Sequence, residues 1–288
     1  MSTTPLDVSA AAGAGAGRGA PGERITLQTL REMKRRGEAI SMLTAYDYPT
    51  ARLLAEAGIE ILLVGDSVAT TVLGYDSTTR VTLEFLLTIT DAVRRGAPSV
   101  FLMADMPFGS YPDVPTAVAN AARFVREAEA DAIKLEADAR HAAIVAGLAA
   151  AGVVVCAHVG LLPQRAALQG GFKAQGRTAE EAARLVGDAV ALADAGAQLL
   201  LIEAVPNEVT AEVQKRTSVP VLGCGAGPAA DGHVVVTHDL LGFNAHPPRF
   251  AEAMGDAPAV IAAAAAGYRA AVRERRYPAP RHQYHMKR

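Results

Sequence analysis

In the stretch "ILLVGDSVAT", residues 61–70, four apolar residues run straight into a glycine, an acid and a hydroxyl. A carboxylate at the edge of a core is costly unless something pairs with it, so Asp66 asks for a cation. Other ionisable residues stand in the same kind of place. Asp105 closes "SVFLMAD", and Glu203 follows four apolar residues in "LLLIEAV". Lys134 and Glu136 lie two apart in "DAIKLEA". A strand aims both at one face and turns Ile133 and Leu135 to the other. Opposite charges so placed form either a buried structural pair or part of a site.

Asp66, Asp105 and Glu136 offer oxygen ligands only, and no Cys/His cluster has zinc spacing. A few carboxylates with coordination positions left open suit Mg²⁺, which keeps waters and completes its octahedron with a substrate. Desolvation of Glu203 would raise its pKa and make it a better base; a salt bridge to a neighbouring Arg or Lys is the structural alternative. His158, in "VVVCAHV", reads equally as a site residue or as a hydrogen-bonded core histidine. "GCGAG" (223–227) reads as a phosphate cradle or as a tight turn.

These side chains need elements to hold them. Candidate strands are 39–47, 60–66, 99–105, 131–137, 153–159, 199–205, 219–225 and 233–239, each a short apolar run. Helical periodicity fills 50–58, 82–96, 116–130, 139–152, 178–196 and 208–217, and 250–276 reads as one or two closing helices. Thr178 with Glu181 matches a capping box. Continuous apolar strands alternating with helices indicate a parallel sheet, and eight such units indicate a closed (β/α)8 barrel, whose chemistry gathers at the C-terminal strand ends. An open doubly wound sheet is the rival, but it would more often carry a glycine-rich loop after the first strand. The link "AGPAADG" is too short for a helix, so unit seven is degenerate or the strand count is off by one. Along the expected rim stand Asp47, Asp66-Ser67, Asp105, Lys134, Glu136, His158, Glu203, Gly225-Ala226-Gly227 and His238-Asp239.

The chain has 288 residues, half of them hydrophobic, and a net charge of −2. That suffices for a large core and makes a nucleic-acid partner unexpected. No apolar run is long enough to span a bilayer, and the first residues lack the basic and apolar regions of a secretory signal. Residues 1–23, rich in Ala and Gly, read as a disordered tail, and 24–288 as a single (β/α)8 barrel domain with C-terminal helices. The two cysteines, Cys156 and Cys224, sit in apolar runs and read as buried thiols of a cytoplasmic protein.

Taken in order over roughly residues 25–250, "MLTAYDYPTARLLAEAGIEILLVGDS", "GYDST", "VRRGAP", "ADMPFGSY", "IKLEA", "HVGLLPQ", "GGFKAQGR", "AGAQLLLIEAVP" and "GCGAG…DG…HD" resemble the ketopantoate hydroxymethyltransferase family. The resemblance implies a TIM barrel of the phosphoenolpyruvate mutase/isocitrate lyase type, cytoplasmic, Mg²⁺-dependent and commonly a homo-oligomer of ten subunits. It implies transfer of a one-carbon unit from 5,10-methylenetetrahydrofolate to 3-methyl-2-oxobutanoate, a step towards pantothenate. By motif, Asp66 and Asp105 would bind Mg²⁺ with Glu136 helping, the 2-oxo acid would chelate the metal, Ser67 and Lys134 would hold its carboxylate end, and Glu203 would accept the proton. A paralogue acting on another 2-oxo acid and a Mg²⁺-dependent C–C lyase of the same superfamily are the alternatives. The sequence departs from the family's pattern at 68–72, at Thr88-Ile89, at 164–168 and at Ala204.

Overall fold

Eight parallel strands follow one another in chain order around a closed barrel in the computed structural model, which describes residues 24–287. They are β1 (Ile40–Thr44), β2 (Ile61–Val64), β3 (Phe101–Asp105), β4 (Ala132–Glu136), β5 (Val155–Gly160), β6 (Leu199–Glu203), β7 (Val221–Cys224) and β8 (Gly232–Val235). β8 pairs with β1 and closes the ring. All eight expected strands are present and shorter than expected, although β5 runs one residue further, to Gly160, and β8 starts one residue earlier, at Gly232. The expectation for residues 1–23 lies outside the described residues. Residues 24–237 hold the barrel as one compact unit, and residues 238–287 form another.

Alternation along each strand sorts the side chains into two cores. Ile40, Met42, Ile61, Leu63, Phe101, Met103, Ala132, Cys156, Leu199, Leu201, Leu222 and Val234 fill the barrel interior. Leu62, Val64, Leu102, Ala104, Ile133, Leu135, Ala157, Leu200 and Ile202 face outward and pack with helix residues such as Leu86, Phe124, Val145 and Leu192. The interior packs as apolar layers near the N-terminal ends of the strands. One step further along, at the C-terminal ends, the inward positions turn polar.

The outer helices in the barrel unit are α2 (Tyr48–Glu56), α3 (Val68–Thr71), α4 (Leu83–Gly96), α5 (Val114–Ala128), α6 (Ala142–Ala150), α7 (Ala179–Asp194) and α8 (Asn207–Arg216). Several start on side-chain caps: Asp47 on α2, Thr82 on α4, Asp113 on α5 and the expected Thr178/Glu181 box on α7. Each satisfies backbone N–H groups that the helix leaves open. Between β7 and β8 the described chain makes only a turn, so unit seven is degenerate and the strand count is eight.

The first helix, α1 (Leu27–Arg36), was not expected. Its N-cap is Thr26, answered by Thr29 rather than by the Glu or Gln of a standard box, so the start signal is weak. Leu30 is fully buried against the interior core, and Lys34 Nζ reaches Asp231 Oδ2 at 2.8 Å, just before β8. A short helix, α9 (Thr237–Leu240), begins at the end of the barrel unit, and α10 (Ala257–Arg273) is the single α-helix of the expected 250–276 segment.

Gly160 ends β5 at φ +98°, and a Cβ there would stand 2.3 Å from the backbone oxygen of Glu203. No L side chain fits without moving the end of β6. Gly160→Ala is therefore expected to destabilise the protein by about 1–3 kcal/mol from overpacking, with backbone strain of similar size. A urea unfolding curve with an unchanged midpoint would contradict this.

Candidate active site

The polar layer at the C-terminal strand ends is set by register. Asp105 lies beside Lys134, Glu136 beside His158, and Gly160 beside Glu203 on neighbouring strands. Asp66 and Ser67 follow just beyond β2, where Gly65 leaves room. A Cβ at position 65 would lie 2.7 Å from Ser67 Oγ and 3.5 Å from Asp105 Oδ2. The structure thus brings Asp66, Ser67, Asp105, Lys134, Glu136, His158 and Glu203 to one end of the barrel. All but Ser67 and Glu203 are buried.

On the acidic side, the Asp66 backbone N–H donates to Asp105 Oδ2 at 2.9 Å. The Gln164 side-chain amide donates to Asp66 Oδ2 at 2.8 Å, and its backbone N–H donates to Glu136 Oε1 at 3.0 Å. Glu136 Oε2 is buried with no hydrogen-bond partner among the described residues. Burial first, then the charge of Asp105, raises the Asp66 pKa. Burial and the Asp66 charge push Glu136 up to about 8.

On the other side, Lys134 Nζ stands 2.7 Å from Asp105 Oδ1. Burial disfavours the Lys134 ammonium, but Asp105, Asp66 and Glu136 outweigh it and hold its pKa above the ordinary lysine value. The same ammonium lies 3.4 Å from His158 Nδ1. An ammonium only donates, so Nδ1 accepts and the ring proton belongs on Nε2. Burial, then the Lys134 charge, keeps this histidine neutral. His158 Nε2 faces Glu203 Oε2 at 3.3 Å.

Among the described residues no Arg or Lys makes a salt bridge to Glu203, so the structural pairing that the sequence left open is not found there. Its side chain is 17 % exposed, so it touches solvent while most of it is enclosed. Burial pushes its pKa up to about 7, against the lowering effect of Lys134. A carboxyl that titrates near neutrality is suited to both taking and returning a proton. Ala204 follows at φ +50°, a left-handed conformation that an alanine adopts only when its surroundings impose it. Its N–H is held by the Cys224 carbonyl and its carbonyl by the Gln175 N–H. Ser67 Oγ shares a 2.7 Å hydrogen bond with the buried Tyr46 hydroxyl.

The donor set fits a hard divalent cation. Asp66, Asp105, Glu136 and Glu203 face one buried ammonium, and one oxygen of Glu136 is orphaned. Among the described residues no group of three or more His, Cys, Asp or Glu side chains is placed to hold a metal ion. Lys134 and Gln164 hold oxygens of Asp105, Asp66 and Glu136, so the arrangement matches an ion that draws on few protein oxygens and keeps water or substrate in its other positions.

The remaining expected rim residues have partners of their own. Asp47 is exposed and caps α2 through Thr50. His238 and Asp239 belong to the second unit, where Asp239 Oδ1 accepts from Asn244. Of the 223–227 segment, Gly223 and Cys224 end β7 and 225–227 bend away from it: Thr210 Oγ1 donates to the Ala226 carbonyl, and a Cβ on Gly227 would strike Asn207. Lys134 pairs with Asp105 rather than with Glu136. Gln164, Tyr111 and Tyr46 were missed; "GLLPQ" and "ADMPFGSY" contain two of them, and a polar residue ending an apolar run is the signal that points to Gln164. The departures at Thr88-Ile89 lie on α4, with Thr88 exposed and Ile89 packed on the outer core, away from the polar layer.

Among the described residues no helix is long and apolar enough to cross a membrane. Comparison with known proteins agrees with the geometry. The family described as Ketopantoate hydroxymethyltransferase matches residues 24–280. The chain is 43% identical to the 3-methyl-2-oxobutanoate hydroxymethyltransferase of Carboxydothermus hydrogenoformans over 266 residues, 92% of this chain and 96% of that protein. It is 46% identical to the protein of the same name from Thermus thermophilus over 262 residues, 91% of this chain and 100% of that one. In fold it is similar to the crystal structure of 2,3-dimethylmalate lyase, a PEP mutase/isocitrate lyase superfamily member, with a TM-score of 0.55, 19% identity, and 91% of each chain covered. The barrel, its polar layer and these likenesses together make this chain a hydroxymethyltransferase, a member of the ketopantoate hydroxymethyltransferase family.

Proposed function

We propose that the chain transfers a hydroxymethyl group from 5,10-methylenetetrahydrofolate to 3-methyl-2-oxobutanoate, giving 2-dehydropantoate. The observation that carries this reading is the juxtaposition of a near-neutral carboxyl, Glu203, with an acidic pocket that contains one buried lysine. Asp66 and Asp105, assisted by Glu136, would hold Mg²⁺. When bound there, the ion supplies positive charge that stabilises negative charge on the keto oxygen of the 2-oxo acid. Lys134 and Ser67 receive the substrate's carboxylate end. Lys134 offsets the charge that an anion brings among the acids, and the Tyr46 hydroxyl orients Ser67. Glu203 takes the C3 proton; water releases the folate's methylene carbon at the level of formaldehyde with tetrahydrofolate leaving, and the enolate carbon adds to that carbonyl carbon, whose oxygen takes the proton back from Glu203 and becomes the product's hydroxyl. His158, neutral and with its proton on Nε2, keeps a donor pointed at the side of the site where Glu203 works.

We read the active form as a cytoplasmic homo-oligomer, the decamer that the family resemblance implies. Helix α10 has no buried residue, and Val260, Ile261 and Tyr268 are exposed along it, apolar area that a second copy would cover.

Proton removal can be read apart from folate. In D₂O with Mg²⁺ and no folate, NMR of 3-methyl-2-oxobutanoate should show loss of the C3 proton. Glu203→Gln should slow that exchange by about 100-fold or more, the scale of a general base, while substrate binding persists. Exchange at the parent rate would remove Glu203 from this role. Asp66→Asn should instead weaken Mg²⁺ binding, read by calorimetry.

The raised pKa values also set a pH dependence. Free carboxyls titrate near 4 in an unfolded chain, whereas the buried ones here hold protons up to about 7 for Glu203 and about 8 for Glu136. Between those limits the folded state binds more protons, so stability falls as pH rises. Metal-free protein should lose thermal stability from about pH 5 to about pH 8, and Mg²⁺ should restore more of it at the upper end. A melting temperature in EDTA that stays level across this range would refute the assignment.

A further inference from the structure

We infer that Gln164 is a positioning residue for the metal site, a single residue that fixes, through its side-chain amide and its backbone N–H, which oxygens of Asp66 and Glu136 are left for a cation. The inference rests on the reading that these acids bind Mg²⁺.

Asp66 follows β2 and Glu136 ends β4, yet both are held by one residue. Gln164 donates from its side chain to Asp66 Oδ2 at 2.8 Å and from its backbone to Glu136 Oε1 at 3.0 Å. The second amide hydrogen goes to the Met106 carbonyl at 3.0 Å, and Gln164 Oε1 accepts from the Tyr111 hydroxyl at 2.8 Å. Its side-chain amide and its backbone N–H are therefore all engaged, in a residue that is almost wholly buried. The amide has one workable orientation. Turned over, its oxygen would face a carboxylate and a carbonyl, both acceptors. A glutamate at 164 would have the same fault and add charge.

The backbone at this point is fixed as well. Gln164 is the central residue of the 3-10 turn Pro163–Arg165, where the proline ring restricts φ. Arg165 Nη1 anchors the turn to Asp138 Oδ2 at 3.2 Å. Two carboxylates from separate strands thus each give up one oxygen to a rigid donor. In Glu136 the remaining oxygen is the buried atom with no partner. Partners that orient metal ligands without touching the metal commonly change affinity by about 10–100-fold when removed.

Mn²⁺ binding to the metal-free full-length enzyme, followed by electron paramagnetic resonance, tests this. Gln164→Leu keeps the volume and the backbone N–H to Glu136 but removes the amide. It should weaken Mn²⁺ binding by about 10-fold or more. Tyr111→Phe keeps the Gln164 amide but removes the donor to its Oε1, along with a longer 3.4 Å hydrogen bond to the Glu136 carbonyl, and should weaken binding in the same direction by less. This second variant carries the test if the first does not fold. A role in packing alone would lower the melting temperature of the metal-free protein and leave Mn²⁺ affinity at the parent value. That result in the folded variants overturns the inference while the metal reading stands. A parent enzyme that takes up no Mn²⁺ overturns both.

Discussion

The arrangement depends on the burial of one ammonium among several carboxylates. Lys134 is enclosed with Asp105 at 2.7 Å, and Asp66 and Glu136 act on it at longer range. Removing either member of such a pair strands a charge in a poor dielectric, which is strongly destabilising. The lysine cannot neutralise all of its neighbours. The acids left over suit the pocket to a further cation, while burial lifts Glu203 toward neutral pH and burial together with the Asp66 charge lifts Glu136. In the function proposed above, the acids left over would hold the metal and the buried Glu203 would serve as the base.

The barrel makes this tolerable by confining it to one layer. Below the polar layer the interior is Leu, Ile, Met, Phe and Val, closed at the N-terminal end by Leu30 of α1. The outward alternates on the same strands bury against helices. Each fully buried aliphatic side chain contributes about 1.5–3 kcal/mol, so many such residues offset the desolvation of a few charges. Backbone strain gathers at the same end, at Gly160 and Ala204, where β5 and β6 meet beside Glu203. Glycine relieves it at one position, and at the other hydrogen bonds from Gln175 and to Cys224 hold it in place.

Much of the fold was legible because strand and helix periods are local properties of the chain. Eight apolar runs and the intervening helical segments can be counted directly, and Lys134 and Glu136 two residues apart already state that both face inward. α1 escaped notice because its cap is an unusual Thr–Thr pair and its burial depends on the open end of a barrel that exists only once all strands are placed. Asp47 follows an apolar run as Asp66 and Asp105 do, but it is exposed and caps α2, which the run by itself does not reveal.

Sequence by itself determined the residue types, the inward alternation and the family, because each is carried by neighbours within a few positions or by motifs in fixed order. Only tertiary structure decided who pairs with whom. That Lys134 meets Asp105 and not Glu136 follows from the register of β3 against β4. That Gln164 joins Asp66 to Glu136 follows from a turn after β5 being laid over the ends of β2 and β4. Those contacts join positions tens of residues apart, and no local pattern encodes them, since hydrogen bonds depend on ångström distances that only the closed barrel sets.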